Sequence, residues 1–133
     1  MIRLEHVALW STDIERLKAF YQKYFDAQSG AMYVNEAKQF RSYFLSFATG
    51  ARLEIMQRPG IIELPAVAVQ QAYTGAGYVH IAFSTGSEEA VNALTARLQA
   101  DGYTRLDGPR LTGDGYYESV VLDPDGNRIE ITG

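Results

Sequence analysis

Hydrophobic positions along the chain change their period several times, and each change marks an element. Residues 2–10 are rich in β-formers and stop at Ser11-Thr12-Asp13, which predicts a strand. Thr12-Asp13-Ile14-Glu15 fits a capping box with Thr12 as N-cap, so a helix should begin there. Ile14, Leu17, Phe20, Tyr21, Tyr24 and Phe25 then recur at helical spacing beside a polar face of Glu15, Lys18, Gln22 and Lys23. This helix should end near Asp26. Three strands are predicted next: a weak one around 29–35, one over 41–47 and one over 52–56, the last two joined by a Thr49-Gly50 hairpin signal. The order is βαβββ.

Residues 58–76 contain Pro59, Gly60, Pro65 and Gly75 and read as a linker, with one helical turn around 66–73. The pattern then restarts. Tyr78 to Phe83 reads as a strand, and Ser87 is an N-cap with Glu88 and Glu89 placed against the helix dipole. Val91, Leu94 and Leu98 form the stripe of a second helix, and Gly102 stands where a left-handed C-cap glycine is expected. Strands near 103–107, 116–122 and 127–132 complete a second βαβββ unit, with Asp123-Pro124-Asp125-Gly126 as the turn between the last two. The predicted fold is α+β: two βαβββ repeats, about 1–57 and 77–133, in one domain. They should form a curved mixed sheet around a cavity, with helices on the convex side.

The halves also match in residues. His6-Val7-Ala8-Leu9 answers to His80-Ile81-Ala82-Phe83, each before a capped helix, and Arg52-Leu53-Glu54-Ile55 answers to Arg128-Ile129-Glu130-Ile131, each closing its unit. From His to Glu is 48 residues in the first half and 50 in the second. Successive strand side chains point to opposite faces, so each His and Glu lies opposite the aliphatic residues that pack under a helix. The ionisable groups therefore gather on the other face of the sheet.

A lone strand histidine is usually a hydrogen-bonded structural residue, and a lone glutamate is usually solvated. Here the chain has only two histidines, both at repeat-equivalent positions and both with a glutamate in the closing strand. Two carboxylates brought close together repel, and a divalent cation removes that penalty. Mixed imidazole and carboxylate ligands suit Zn, Ni, Co, Mn or Fe(II), with an open position for water. His6, Glu54, His80 and Glu130 are therefore the predicted ligands of one divalent metal.

Composition narrows the alternatives. The chain has 133 residues, 47% of them hydrophobic, enough for the core of one ordinary domain. It carries a formal charge of −4 and no Lys/Arg run, so nucleic acid is not an expected partner. Without cysteine it has no disulfide, thiolate-held metal or thiol nucleophile. The first ten residues, with Arg3 and Glu5, do not make a signal-peptide core, and no stretch has the apolar length of a membrane span. The protein is expected to be soluble and cytoplasmic, with no membrane partner.

With these motifs in place, the chain resembles the vicinal oxygen chelate superfamily, the group containing glyoxalase I, over nearly its whole length. The resemblance rests on the His6 strand, Leu53-Glu54-Ile55, Gly77 to Phe83 and Asp123 to Ile131, where that family carries its metal ligands. The full two-His, two-Glu set resembles glyoxalase I most closely. That resemblance implies a metal-dependent lyase or isomerase acting on a hemithioacetal or α-hydroxycarbonyl substrate through an enediolate. Glu130 would be the base and Glu54 its counterpart, and a homodimer would be the assembly. Ring-cleaving dioxygenases and fosfomycin-opening enzymes in the family typically use two His and one Glu. Such an oxygenase or resistance enzyme is the alternative enzyme class, and a non-catalytic small-molecule binding protein is the third reading.

Glyoxalase I commonly has an arginine near the end of the first strand, holding a glutathione carboxylate. This chain has Trp10 there. Trp10 shares the parity of His6 and reads either as a wall of the substrate cavity or as an ordinary core aromatic. The segment from Gly108 to Tyr117 reads as a flexible stretch and a candidate lid. Arg110 within it is a candidate cation for an anionic substrate, or else a solvated surface residue. Arg52 and Arg128 share the parity of the glutamates, placed either to orient the carboxylates or to meet solvent at a sheet edge.

Overall fold

Aliphatic side chains on one parity of the central strands decide which face of each sheet a helix covers. The computed structural model describes residues 1–65 and 76–133, divided into two compact units, 1–63 and 64–133. The helical turn expected around 66–73 lies outside the described residues.

The first unit runs β1 (His6–Trp10), α1 (Ile14–Phe25), β2 (Gln28–Ser29), β3 (Tyr33–Asn35), β4 (Phe40–Ser46) and β5 (Arg52–Gln57). Its sheet has the order β1-β5-β4-β2, with β3 also on β4. β1 and β5 are parallel, while β4 is antiparallel to its partners. The strand expected around 29–35 is two short strands that pair separately with β4. α1 packs on β4 and β5 through Ile14, Leu17, Phe20, Tyr21, Tyr24 and Phe25, all buried, as the helical spacing predicts. Beneath it lie Leu45, Leu53 and Ile55. The N-cap is Asp13 rather than Thr12: its carboxylate accepts from the Arg16 amide at 3.1 Å. Asp26 closes the helix at a left-handed φ of 56°.

The second unit runs β6 (His80–Ser84), α2 (Glu88–Ala100), β7 (Arg105–Leu111), β8 (Tyr117–Leu122) and β9 (Arg128–Thr132). Its order is β6-β9-β8-β7, with β6 and β9 parallel. The two βαβββ repeats each form a mixed sheet, one per unit. Ser87 caps α2 by accepting from the Ala90 amide at 3.1 Å, and Gly102 follows the helix at φ 93°. Val91 and Leu98 are buried as expected, and Thr95 joins them. Its hydroxyl donates to the Val91 carbonyl at 2.6 Å and lies 2.7 Å from the buried Ser119 hydroxyl, so neither polar group is left unsatisfied.

β7 departs furthest from expectation. It continues through Gly108 and Pro109 to Leu111, with Arg110 inside the strand, so residues 108–111 are not part of a flexible lid. As the edge strand, β7 accommodates a proline whose missing N–H costs no ladder bond. Pairing with β8 is bulged on either side of Asp107. Gly108 has φ 71°, and a Cβ there would collide with the Glu118 carbonyl oxygen. Only the connection from Thr112 to Tyr116 remains outside strands.

The face assignment sets the expected mutational costs. Ile131→Ala, which empties a fully buried position, should cost about 2–5 kcal/mol. Ser87→Ala should cost about 1 kcal/mol through loss of its cap. Ala82→Ser, on the opposite exposed face, should stay within about 0.5 kcal/mol. Urea denaturation of the three variants checks this order.

Candidate metal centre

The parallel strand pairs place the candidate ligands. In the first unit His6 stands opposite Arg52 and Ala8 opposite Glu54; in the second His80 stands opposite Arg128 and Ala82 opposite Glu130. Each histidine is therefore the diagonal neighbour of its glutamate across identical registers. The alanine facing each glutamate has no side chain beyond Cβ, which leaves the imidazole room to reach the carboxylate.

His80 Nε2 lies 3.0 Å from a Glu130 carboxylate oxygen, and His6 Nε2 lies 3.7 Å from Glu54 Oε1. The imidazoles are 39% and 41% exposed and the glutamates 19% and 16%, so the two pairs match in setting as well as in register. Two N/O donors each about 2.1 Å from one ion lie roughly 3.0–3.4 Å apart, and both spacings come near that window. A hydrogen-bonded His–Glu pair has the same spacing. Neither unit alone gathers three or more His, Asp or Glu side chains into a metal cluster among the described residues.

The surroundings of the pairs differ. In the first unit His6 Nδ1 donates to Glu5, and Arg52 donates to the same carboxylate. The His6 hydrogen bond, then Arg52, hold the Glu5 carboxyl below its ordinary range. With Nδ1 donating to Glu5, Nε2 is the nitrogen that faces Glu54. His6 also meets the Phe44 ring edge-on at 5.2 Å, and the Arg52 guanidinium stacks over Phe44 at 4.1 Å. Trp10 is 38% exposed on this face, so it is not a core residue; it packs edge-on to Phe40 at 6.1 Å.

In the second unit a second carboxyl joins the pair. Glu118 is diagonal to Glu130 across β8 and β9. Burial, and then the Glu130 carboxyl hydrogen-bonded to it, push its pKa up to about 6. Arg110 stands opposite Glu118 in the ladder and is exposed, with its charge matched by Asp107 at 3.0 Å. That guanidinium holds the Asp107 carboxyl below its ordinary range. Strand parity alone identifies Glu118 as a member of this face. Glu5 lies just before β1, where parity does not apply.

A family model described as the Glyoxalase/Bleomycin resistance protein/Dioxygenase superfamily matches residues 3–131. The chain belongs to this superfamily. Solved structures of the same fold include a trypanothione-dependent glyoxalase I from Leishmania major, with 19% identity and a TM-score of 0.77 over 100% of this chain and 87% of that one. A possible glyoxalase from Bacillus cereus has 22% identity and a TM-score of 0.71, with both chains fully covered. The fosfomycin resistance protein FosX from Listeria monocytogenes has 23% identity and a TM-score of 0.70 over 98% of this chain and 89% of that one. No curated protein matches by sequence. At these identities the structures share the superfamily fold, whose members are mostly enzymes that typically use a divalent metal. No helix among the described residues is long and apolar enough to cross a membrane.

Glu118 yields a pH test. Its folded pKa of about 6 lies above the ordinary 4.5, so the folded chain holds the proton more tightly than the unfolded chain. The stability of metal-free protein should therefore fall as pH rises from about 4.5 through about 6. Glu118→Gln should flatten that fall and raise the urea midpoint more at about pH 7.5 than at about pH 4.5. An equal shift at both pH values would contradict the assignment.

Proposed function

We propose that the chain is a divalent-metal-dependent lyase or isomerase of the glyoxalase I kind, with His6, Glu54, His80 and Glu130 as the metal ligands. The duplicated diagonal carries this reading: in each sheet a histidine nitrogen and a glutamate oxygen face each other across a parallel strand pair, at the same register, beside an alanine. Glutamate at both carboxylate positions favours this activity over the dioxygenase and resistance-enzyme alternatives.

A bound Zn, Ni, Co, Mn or Fe(II) ion supplies Lewis-acid stabilisation of negative charge on adjacent substrate oxygens. Glu130 acts as the base: its carboxylate takes a proton from one carbon of a hemithioacetal or α-hydroxycarbonyl substrate and returns it to the neighbouring carbon. Glu54 is its counterpart in the first unit. Glu5 fixes the His6 ring so that Nε2 stays turned toward Glu54. Trp10 forms part of the substrate wall. Arg110 serves as a substrate cation where an anionic group displaces Asp107 from it. This reading takes the chain as one functional domain that works as a homodimer in the cytoplasm, with sedimentation equilibrium as the check on assembly.

The test begins with metal analysis of protein purified without added metal, followed by turnover of methylglyoxal hemithioacetals formed with several thiols. Chelation should abolish turnover, and His6→Ala and His80→Ala should each lower metal content. Glu130→Gln should retain metal but lose about 10²–10⁴-fold in kcat, the usual contribution of a positioned general base. Unchanged turnover at full metal content would remove Glu130 from that role. Oxygen consumption with a catechol by the iron-loaded protein would favour the dioxygenase instead.

A further inference from the structure

Glu5, Arg52 and Phe44 close a collar of contacts around the candidate ligand His6. The Arg52 amide donates to the Glu5 carbonyl at 2.9 Å, which carries the β1–β5 ladder one residue past the strand and sets Glu5 beside Arg52. Each oxygen of the Glu5 carboxylate then takes one partner, Oε2 from His6 Nδ1 and Oε1 from the Arg52 guanidinium. That guanidinium lies over the Phe44 ring, 4.1 Å from its centroid, and Phe44 meets His6 edge-on at 5.2 Å. In the second unit Val79 and Val120 stand at the positions of Glu5 and Phe44, and valine offers neither a carboxylate nor a ring. The repeat keeps the ligand pair and changes the collar.

The side chains of Glu5, His6 and Arg52 are all partly exposed, and ion pairs so open to water contribute little to folding. What these contacts fix is direction. A carboxylate accepting at Nδ1 sets the tautomer of the ring and turns Nε2 toward Glu54. Stacking on Phe44 restrains the Arg52 guanidinium without using its N–H groups, which remain free to hold the other oxygen of Glu5 and keep that carboxylate from swinging away into water. We propose that Arg52 is a positioning residue for the metal, acting through Glu5 to hold the His6 ring in its ligating orientation. The inference deepens the reading of His6 as a metal ligand and rests on it.

The sign of the effect separates this role from a general effect of charge. A cation beside a metal site repels the ion, so its removal should tighten binding by Coulomb's law alone. Acting through Glu5, the removal of Arg52 weakens binding instead. The probe is Zn(II), which mixed imidazole and carboxylate sites take readily, with affinity read by competition against a chromophoric chelator. Glu5→Ala should weaken Zn(II) binding about 10–100-fold, the usual cost of losing the hydrogen-bond partner of a ligand. Arg52→Gln should weaken it in the same direction by less, and Arg52→Lys should keep most of the affinity. In the Glu5→Ala background Arg52→Gln should no longer weaken binding, because the group it acts through is gone. Heteronuclear spectra of the imidazole nitrogens in metal-free protein, at about pH 8.5, should show the His6 proton on Nδ1 and its redistribution in Glu5→Ala. Tighter or unchanged Zn(II) binding by Arg52→Gln, or equal weakening in both backgrounds, would overturn the inference and leave the ligand reading standing as long as His6→Ala lowers the affinity. Should His6→Ala leave the affinity unchanged, the ligand reading falls and this inference falls with it.

Discussion

The parallel pairing of the first and last strand of each unit is the constraint on which the site depends. A parallel ladder holds its register through evenly spaced backbone hydrogen bonds, so the side chains above it inherit a set offset. Here that offset puts a histidine diagonal to a glutamate and an alanine between them, in both sheets. A one-residue slip would turn every side chain of the slipped strand to the other face. Leu53, Ile55, Ile129 and Ile131, all buried beneath helices, make such a slip costly. The aliphatic core and the polar pair are two faces of one register.

The duplication preserves the pairs but not their neighbours. Where the second sheet has Glu118 diagonal to Glu130, the first has Ser42 diagonal to Glu54. Where the first sheet has Phe44 facing Glu54, the second has Val120 facing Glu130. The second unit therefore places a second carboxyl, Glu118, beside Glu130. Around Glu54 the first unit gathers aromatic rings and stacked arginines. Repeat-equivalent pairs thus stand in unlike surroundings.

Much of this was legible in the sequence because strand parity and helix spacing are local. The stripe from Ile14 to Phe25, the Ser87 cap and both His/Glu pairs follow from period and repeat alone, and each lies where that reasoning puts it. What escaped depends on pairing partners. Gly108-Pro109 reads as a loop because proline lacks a donor, and only the edge position of β7 makes it compatible with a strand. Asp13 and Thr12 are both competent caps, and the extended backbone at Asp13 decides between them. Arg58 reads as part of a linker until its stacking on Trp10 ties it to the first sheet.

The charge arrangement at His6 bears on what the pair is for. Nδ1 is committed to Glu5, so a neutral ring presents a lone pair at Nε2 toward the Glu54 carboxylate. Two electron-rich groups at 3.7 Å repel unless something positive lies between them. In the proposed function a divalent cation, held by His6 and Glu54, would meet that need. The Glu5 hydrogen bond would then do more than orient the ring. By drawing on the Nδ1 proton, it would make Nε2 a stronger donor to a bound ion.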